Sequence, residues 1–160
     1  MKAIETVYKG YRFRSRLEAR WAVFFDEVGI KYQYEPEGFD LDDAGFYLPD
    51  FWIPCPRFFE NGGYFIEIKP TLTLTRQEIK KLRYLSKMGH TVILLCDDPV
   101  ACISFTFKNG DIGRSWANDT AIGHPAVRFV DGQSGRWMDI DFDKAATKAR
   151  RARFEHGEAP

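Results

Sequence analysis

Cysteine is scarce in this chain of 160 residues: the three present, Cys55, Cys96 and Cys102, are odd in number and form no Cys-x-x-Cys pair. That leaves neither a disulfide framework nor a zinc-ligand spacing to read. His90, His124 and His156 stand isolated as well. No apolar run approaches the roughly 20 residues that span a bilayer. Met1-Lys2-Ala3-Ile4-Glu5 lacks the apolar core of a signal peptide, so the chain is expected to be soluble and cytoplasmic, with no membrane partner. A net charge is missing too, since 23 Lys and Arg balance 23 Asp and Glu. Nucleic-acid-binding domains are usually basic, and the balance at first argues against that partner. Internal repeats and low-complexity segments are absent.

What is present fits one domain over residues 1–160. The hydrophobic content of 44% supplies a real core, and the aromatic share of 16% is high. Charge is segregated along the chain. Residues 9–20 hold Lys9, Arg12, Arg14, Arg16 and Arg20 against Glu18, whereas residues 26–50 hold eight acids against Lys31. Residues 76–87 and 144–153 are basic again. A protein that binds cations with its acids and phosphates with a separate basic surface could have this distribution, although charge runs commonly serve only solvation.

Val7 to Phe13 alternates about Lys9-Gly10, the pattern of a small hairpin. Ser15-Arg16-Leu17-Glu18 matches a capping box, and Leu17, Trp21, Phe24, Phe25 and Val28 recur at helical spacing until Gly29. Glu18 would there receive the Ser15 N–H; its angular position beside Ala22 and Phe25 equally allows it to look into the edge of the core. Ile30–Pro36 reads as a strand with Tyr32 and Tyr34 on one face and Glu35 and Glu37 as rim charges. A second strand spans Tyr47–Ile53 and carries Asp50, and a third, Phe65–Lys69, ends at Pro70. Thr75-Arg76-Gln77-Glu78 opens a helix with Ile79, Leu82, Leu85 and Met88 inward, stopped by Gly89. Thr91–Cys96 is a buried strand.

Beyond residue 100 the texture changes. Short β-like pieces flank Lys108-Asn109-Gly110-Asp111, and Ala126–Val130 with Arg136–Phe142 flank a turn at Asp131–Gly135, a hairpin. In the tail, Asp139, Asp141 and Asp143 precede Lys144, Lys148, Arg150, Arg151 and Arg153, the order a helix dipole favours. Those cations are also suited to a basic arm on nucleic acid.

The chemistry concentrates between Tyr47 and Pro70. Glu67 and Lys69 share one face of their strand, roughly 7 Å apart along it. Alone they would be an ion pair. Asp50, in an equally hydrophobic segment, adds a second carboxylate, and two neighbouring carboxylates raise each other's pKa unless a cation lies between them. A hard divalent ion such as Mg²⁺, which takes oxygen ligands, resolves that conflict and points to a metal-dependent phosphodiesterase.

Helix with Glu18, strand, strand with Pro49-Asp50, strand with Glu67-Ile68-Lys69, helix, strand: this order resembles the PD-(D/E)XK nuclease superfamily over about residues 7–100. Phe13-Arg14-Ser15-Arg16-Leu17-Glu18-Ala19-Arg20-Trp21 and Tyr34-Glu35-Pro36-Glu37 resemble its small phage and bacterial members. The resemblance implies a restriction-endonuclease-like α/β fold, an α-β-β-β-α-β core with a mixed central sheet. The C-terminal elaboration at about 101–160, with its β-hairpin and basic helix, lies outside it.

The resemblance further implies Mg²⁺ or Mn²⁺ held by Asp50, Glu67 and the Ile68 carbonyl, with Glu18 completing the site directly or through water and Lys69 positioning or activating the attacking water. DNA is the expected partner, with RNA the alternative, in a bacterial or phage-infected host cell. Arg14, Arg16, Arg76, Lys80, Lys81, Lys144, Lys148, Arg150, Arg151 and Arg153 are the candidate phosphate contacts. Lys81 stands where the exonuclease branch has a tyrosine four residues after its helix glutamine, here Gln77, so no exonuclease is assigned. Cutting both strands would need a homodimer or a partner. The alternatives are a catalytically silent module of the same fold, binding nucleic acid or inhibiting a protein, and a subunit active only within a larger complex.

Overall fold

Local signals at the start of the chain produce the first elements. The computed structural model describes residues 3–114 and 141–154. β1 (Thr6–Tyr8) and β2 (Tyr11–Phe13) form the expected hairpin, turning through Lys9 and Gly10 at positive φ. α1 (Arg16–Val28) begins at Ser15, whose hydroxyl accepts the Glu18 N–H, a cap that contributes about 1 kcal/mol. It ends at Gly29 in the left-handed conformation, with φ 76°. The hairpin is tied to α1 through Asp26, which accepts the Tyr8 hydroxyl at 2.8 Å and pairs with Lys9 at 3.2 Å.

The chain then lays down β3 (Gln33–Tyr34) and a small ribbon of β4 (Phe39–Asp40) and β5 (Phe46–Tyr47) around a 3-10 turn at Asp42–Ala44. β6 (Phe51–Pro54) and β7 (Gly63–Lys69) follow, then α2 (Arg76–Lys87) and β8 (Val92–Cys96). β9 (Ile103–Lys108), β10 (Asp111–Arg114) and α3 (Phe142–Arg151) complete the described chain. The architecture is mixed α/β. One six-stranded sheet runs β10-β9-β8-β7-β6-β3, antiparallel except where β7 and β8 lie parallel.

Strand alternation divides the core between the two faces of this sheet. Phe51, Ile53, Ile66, Ile68, Ile93 and Leu95 point toward α1 and α3. Phe65, Val92, Leu94 and Cys96 point the other way, toward Leu82 and Leu85 of α2 and toward Leu41, Ala44 and Tyr47. α2 carries the complete capping box foreseen at Thr75 and Glu78. α3 is docked: Phe142, Ala145, Ala146 and Ala149 are buried in the α1-side core.

Several expectations change. The strand foreseen over Ile30–Pro36 is regular only at Gln33–Tyr34, because Glu35 turns at φ 45° and its N–H goes to the Asp50 carbonyl. Tyr47 and Asp50 do not share a strand: Tyr47 closes the ribbon, and Asp50 sits in the bend that leads into β6. Met88 is exposed rather than inward. The β-like pieces around Asn109 are β9 and β10, joined into the main sheet. The hairpin foreseen over 126–142 lies outside the described residues except at Asp141 and Phe142, which cap and open α3. Among the described residues, no helix is long and apolar enough to cross a membrane.

Candidate active site

The pairing of β6 with β7 brings the two strand carboxylates together. Phe51 faces Ile66 in that antiparallel register, so the next rung sets Asp50 opposite Glu67. Ile66 and Ile68 fill the α1-side core, which leaves Glu67 and Lys69, like Phe65, on the α2 side. Asp50 is 4% exposed, and Glu67 and Glu18 are each 8% exposed, so all three acids are removed from water and need partners.

Each has found them nearby. Asp50 accepts the Ile68 backbone N–H at 2.7 Å through one oxygen and Arg14 Nη2 at 3.1 Å through the other. The same guanidinium pairs through Nε with Glu35. Glu67 accepts the Tyr47 hydroxyl at 2.8 Å and lies 3.1 Å from Lys69 Nζ. Lys69 also reaches Glu78 at 3.0 Å, while the other Glu78 oxygen takes the Thr75 N–H at 2.7 Å. Glu18 accepts the Ser15 hydroxyl at 2.8 Å and the Tyr34 hydroxyl at 2.5 Å. The Tyr34 oxygen in turn receives the Arg14 N–H at 2.9 Å. Glu18 therefore does not close a capping box on the Ser15 N–H; its carboxylate is turned to Tyr34.

The electrostatics record how close these acids are. Burial drives the Asp50 pKa well above the ordinary carboxylate value, Glu67 and Glu18 push it further, and the Ile68 N–H and Arg14 oppose the rise. Burial likewise raises Glu67, against the pull of Lys69 and Tyr47. For Lys69, burial works to lower the pKa, but Glu67 and Glu78 outweigh it and the ammonium is held above its usual range. Glu78 is lowered, first by the Thr75 N–H.

A hard cation suits this donor set chemically: buried carboxylate oxygens whose mutual repulsion a positive charge would relieve. Among the described residues, however, no three His, Cys, Asp or Glu side chains already converge as a ligand group. The reason is visible in the partners. Arg14 and Lys69 supply the positive charge, and Glu18 is directed to Ser15 and Tyr34.

Arg14, Tyr47, Glu67, Lys69, Glu78 and Lys81 line a cleft of about 360 Å³ between the ribbon and α2. Of the residues singled out for phosphate contact, Arg14 and Lys81 thus lie at the site. Arg76 and Lys80 are exposed on α2, Lys80 3.5 Å from the Asp43 carbonyl, and Arg16 is half-buried in the first turn of α1. Lys144, Lys148, Arg150, Arg151 and Arg153 belong to α3 or the residues just after it, and α3 packs on the opposite face of the sheet from α2. Two of them hold that helix in place: Lys148 meets Glu27 at 2.7 Å, and Arg150 grips Asp98 with bonds of 2.7 and 2.9 Å.

Tyr34, Glu35, Tyr47 and Glu78 are the site residues the pattern did not single out. For Glu78 a signal existed, an acid in the first turn of the helix that follows Glu67 and Lys69. Tyr47 offered none, because its contact with Glu67 depends on how the ribbon folds over the sheet. No model of a known protein family matches the chain, and neither a curated protein nor a solved structure matches it.

Proposed function

We propose that the protein is a metal-dependent nuclease of the restriction-endonuclease-like type that hydrolyses phosphodiester bonds in DNA. The observation that carries this is that Asp50 stands opposite Glu67 beside Lys69 of β7, with Glu67 and the Glu18 of α1 both near enough to raise the pKa of the buried Asp50. Supporting it is the order α1, β3, β6, β7, α2, β8 among the helices and main-sheet strands, with the β4–β5 ribbon inserted after β3; β6 is preceded by the aspartate and β7 carries the glutamate and lysine.

Asp50 and Glu67 would hold Mg²⁺ or Mn²⁺, with the Ile68 carbonyl and Glu18 completing the set. Such an ion lowers the pKa of water and stabilises charge on the phosphate oxygens during in-line displacement. Lys69, its ammonium 3.1 Å from Glu67, is placed to orient the attacking water and offset charge in the transition state. Tyr47 fixes the Glu67 rotamer, and Glu78 fixes the Lys69 ammonium. Arg14 and Lys81 at the cleft supply cations for the flanking phosphates.

A silent nucleic-acid-binding module is the second reading, favoured by the fact that Arg14 and Lys69 already neutralise the acids. Incubating the protein with single-stranded, duplex, nicked and branched DNA, and with RNA, in Mg²⁺, Mn²⁺ or EDTA decides between them. Cleavage that needs metal and disappears in Lys69→Ala and Asp50→Ala is expected. Cleavage that survives both substitutions, or a tight complex with no cutting under any condition, would remove the catalytic assignment.

A further inference from the structure

The cleft between the ribbon and α2 contains an exposed aromatic side chain for which the proposed hydrolysis has no use. Phe46 lines it together with Arg14, Lys69 and Lys81. It is 64% exposed, more than any other large hydrophobic residue among those described. Single exposed hydrophobics are ordinary on protein surfaces; one that stands among three cations in a cleft beside buried carboxylates is not placed like those.

Its setting follows from the ribbon. Alternation along β5 turns Tyr47 inward to Glu67, so its neighbour Phe46 projects from the other face. Asp40 is the cross-strand partner of Phe46, which puts Gly38 diagonally across from it on the same face. The ring lies over that glycine: a Cβ at position 38 would stand 2.2 Å from the Phe46 Cζ and 2.6 Å from Cε2. Glycine thus provides the seat, and the ring is held against the ribbon while most of its surface is left to solvent.

An exposed aromatic plane in a cleft lined by Arg14, Lys69 and Lys81, with Glu67 and Glu78 holding the first lysine, suits a nucleobase. Bases stack on such rings regardless of sequence, while neighbouring cations take the phosphates. A base within a duplex is already stacked on both sides and has no face to offer. We infer that Phe46 is the stacking platform for a base flanking the scissile phosphate, and that the cleft takes single-stranded or locally unpaired nucleic acid. This rests on the nuclease assignment above and adds the substrate class to it.

The test uses full-length Lys69→Ala protein in Mg²⁺, so that the nucleic acid stays intact, with folding of each variant checked by circular dichroism. Single-stranded oligonucleotides carrying 2-aminopurine at successive positions are titrated, alongside the same sequences as duplexes. Anisotropy reads affinity, and 2-aminopurine fluorescence reads stacking. Single strands should bind more tightly than duplexes, with quenching at one position. Adding Phe46→Ala should abolish that quenching and weaken single-strand binding roughly five- to 150-fold. Phe46→Trp should keep both, and Gly38→Ala, which displaces the ring, should resemble Phe46→Ala.

Equal affinity with and without Phe46, an equal loss on duplex and single strand, absence of quenching in the parent, or absence of nucleic-acid binding would each overturn the inference. Cleavage by the unsubstituted protein is scored separately. If stacking is seen but no substrate is cut in any metal, the nuclease assignment fails and the base-binding site stands.

Discussion

Asp50 accepts the backbone N–H of Ile68 at 2.7 Å, which fastens the first acidic residue to the main chain between Glu67 and Lys69. Asp50 is therefore held in register with Glu67 and Lys69 by a main-chain hydrogen bond rather than by loop side chains alone. With that oxygen committed to Ile68, the other faces Arg14, and the charge on the buried carboxylate is balanced from the cleft side.

Catalysis should divide cleanly between groups that act and groups that hold them. Lys69→Ala is expected to lower the cleavage rate on the order of 10²- to 10⁴-fold, the range for a lost proton-handling residue. Tyr47→Phe removes only the hydroxyl that orients Glu67, and should cost about tenfold while leaving the fold unchanged. Single-turnover rates at saturating substrate measure both. A Tyr47→Phe defect as deep as that of Lys69→Ala would mean that Tyr47 itself handles the proton.

Stability of the metal-free protein should fall as pH rises from weakly acidic to alkaline. Asp50 and Glu67 have folded-state pKa values raised above the unfolded carboxylate value of about 4. Their contribution is complete below that unfolded value and is lost as pH rises toward the raised folded values, because the unfolded chain releases its protons first. Glu78 and Asp98 are lowered, so they act in the opposite sense, and their contribution is lost as pH falls below about 4. Thermal melts without metal should show a weakly acidic maximum, and Asp50→Asn should flatten the decline on its alkaline side. Mg²⁺ should raise Tm more at pH 8 than at pH 5. A decline unchanged in Asp50→Asn would assign the pH dependence to other groups.

Arg14 is expected to be worth more to the fold than an exposed arginine usually is. Its guanidinium joins Glu35 to the buried Asp50. Arg14→Ala leaves buried Asp50 with only the Ile68 N–H, and should destabilise by roughly 1–3 kcal/mol, the penalty for an unpaired buried polar group. The loss should shrink as pH falls, because a proton on Asp50 removes the charge that Arg14 balances. Urea denaturation at pH 8 and pH 5 reads this; an equal loss at both would separate Arg14 from the charge of Asp50.

Much of this molecule was legible because its signals are local. Ser15 and Gly29 bound α1, Thr75 and Glu78 open α2, and alternation in Phe65–Lys69 puts Glu67 and Lys69 on one face. What could not be read was set by distant contacts. Glu18 met the spacing of a capping box, yet a tyrosine sixteen residues away takes its carboxylate. Glu35 looked like a rim charge until Arg14, from the turn before α1, was brought beside it. β9 and β10 carried no motif because an edge hairpin needs only alternation and a turn, and the turn at Asn109 and Gly110 is such a signal.

The basic tail is the place where structure most changes the choice of experiment. Deleting residues 141–160 would remove Phe142, Ala145, Ala146 and Ala149 from a core they share with α1, so the expected result is a destabilised protein and an uninterpretable loss of binding. Point substitutions avoid this. Arg150→Ala breaks the bidentate pair with Asp98 at the surface, where solvent screens the charges, and should cost little stability. Lys144, Arg151 and Arg153 are exposed, and their replacement by alanine should leave Tm nearly unchanged. If these three meet phosphates, the slope of log affinity against log salt concentration should become shallower by about one for each cation lost. An unchanged slope with unchanged Tm would give the tail a purely structural role, as the helix that covers α1.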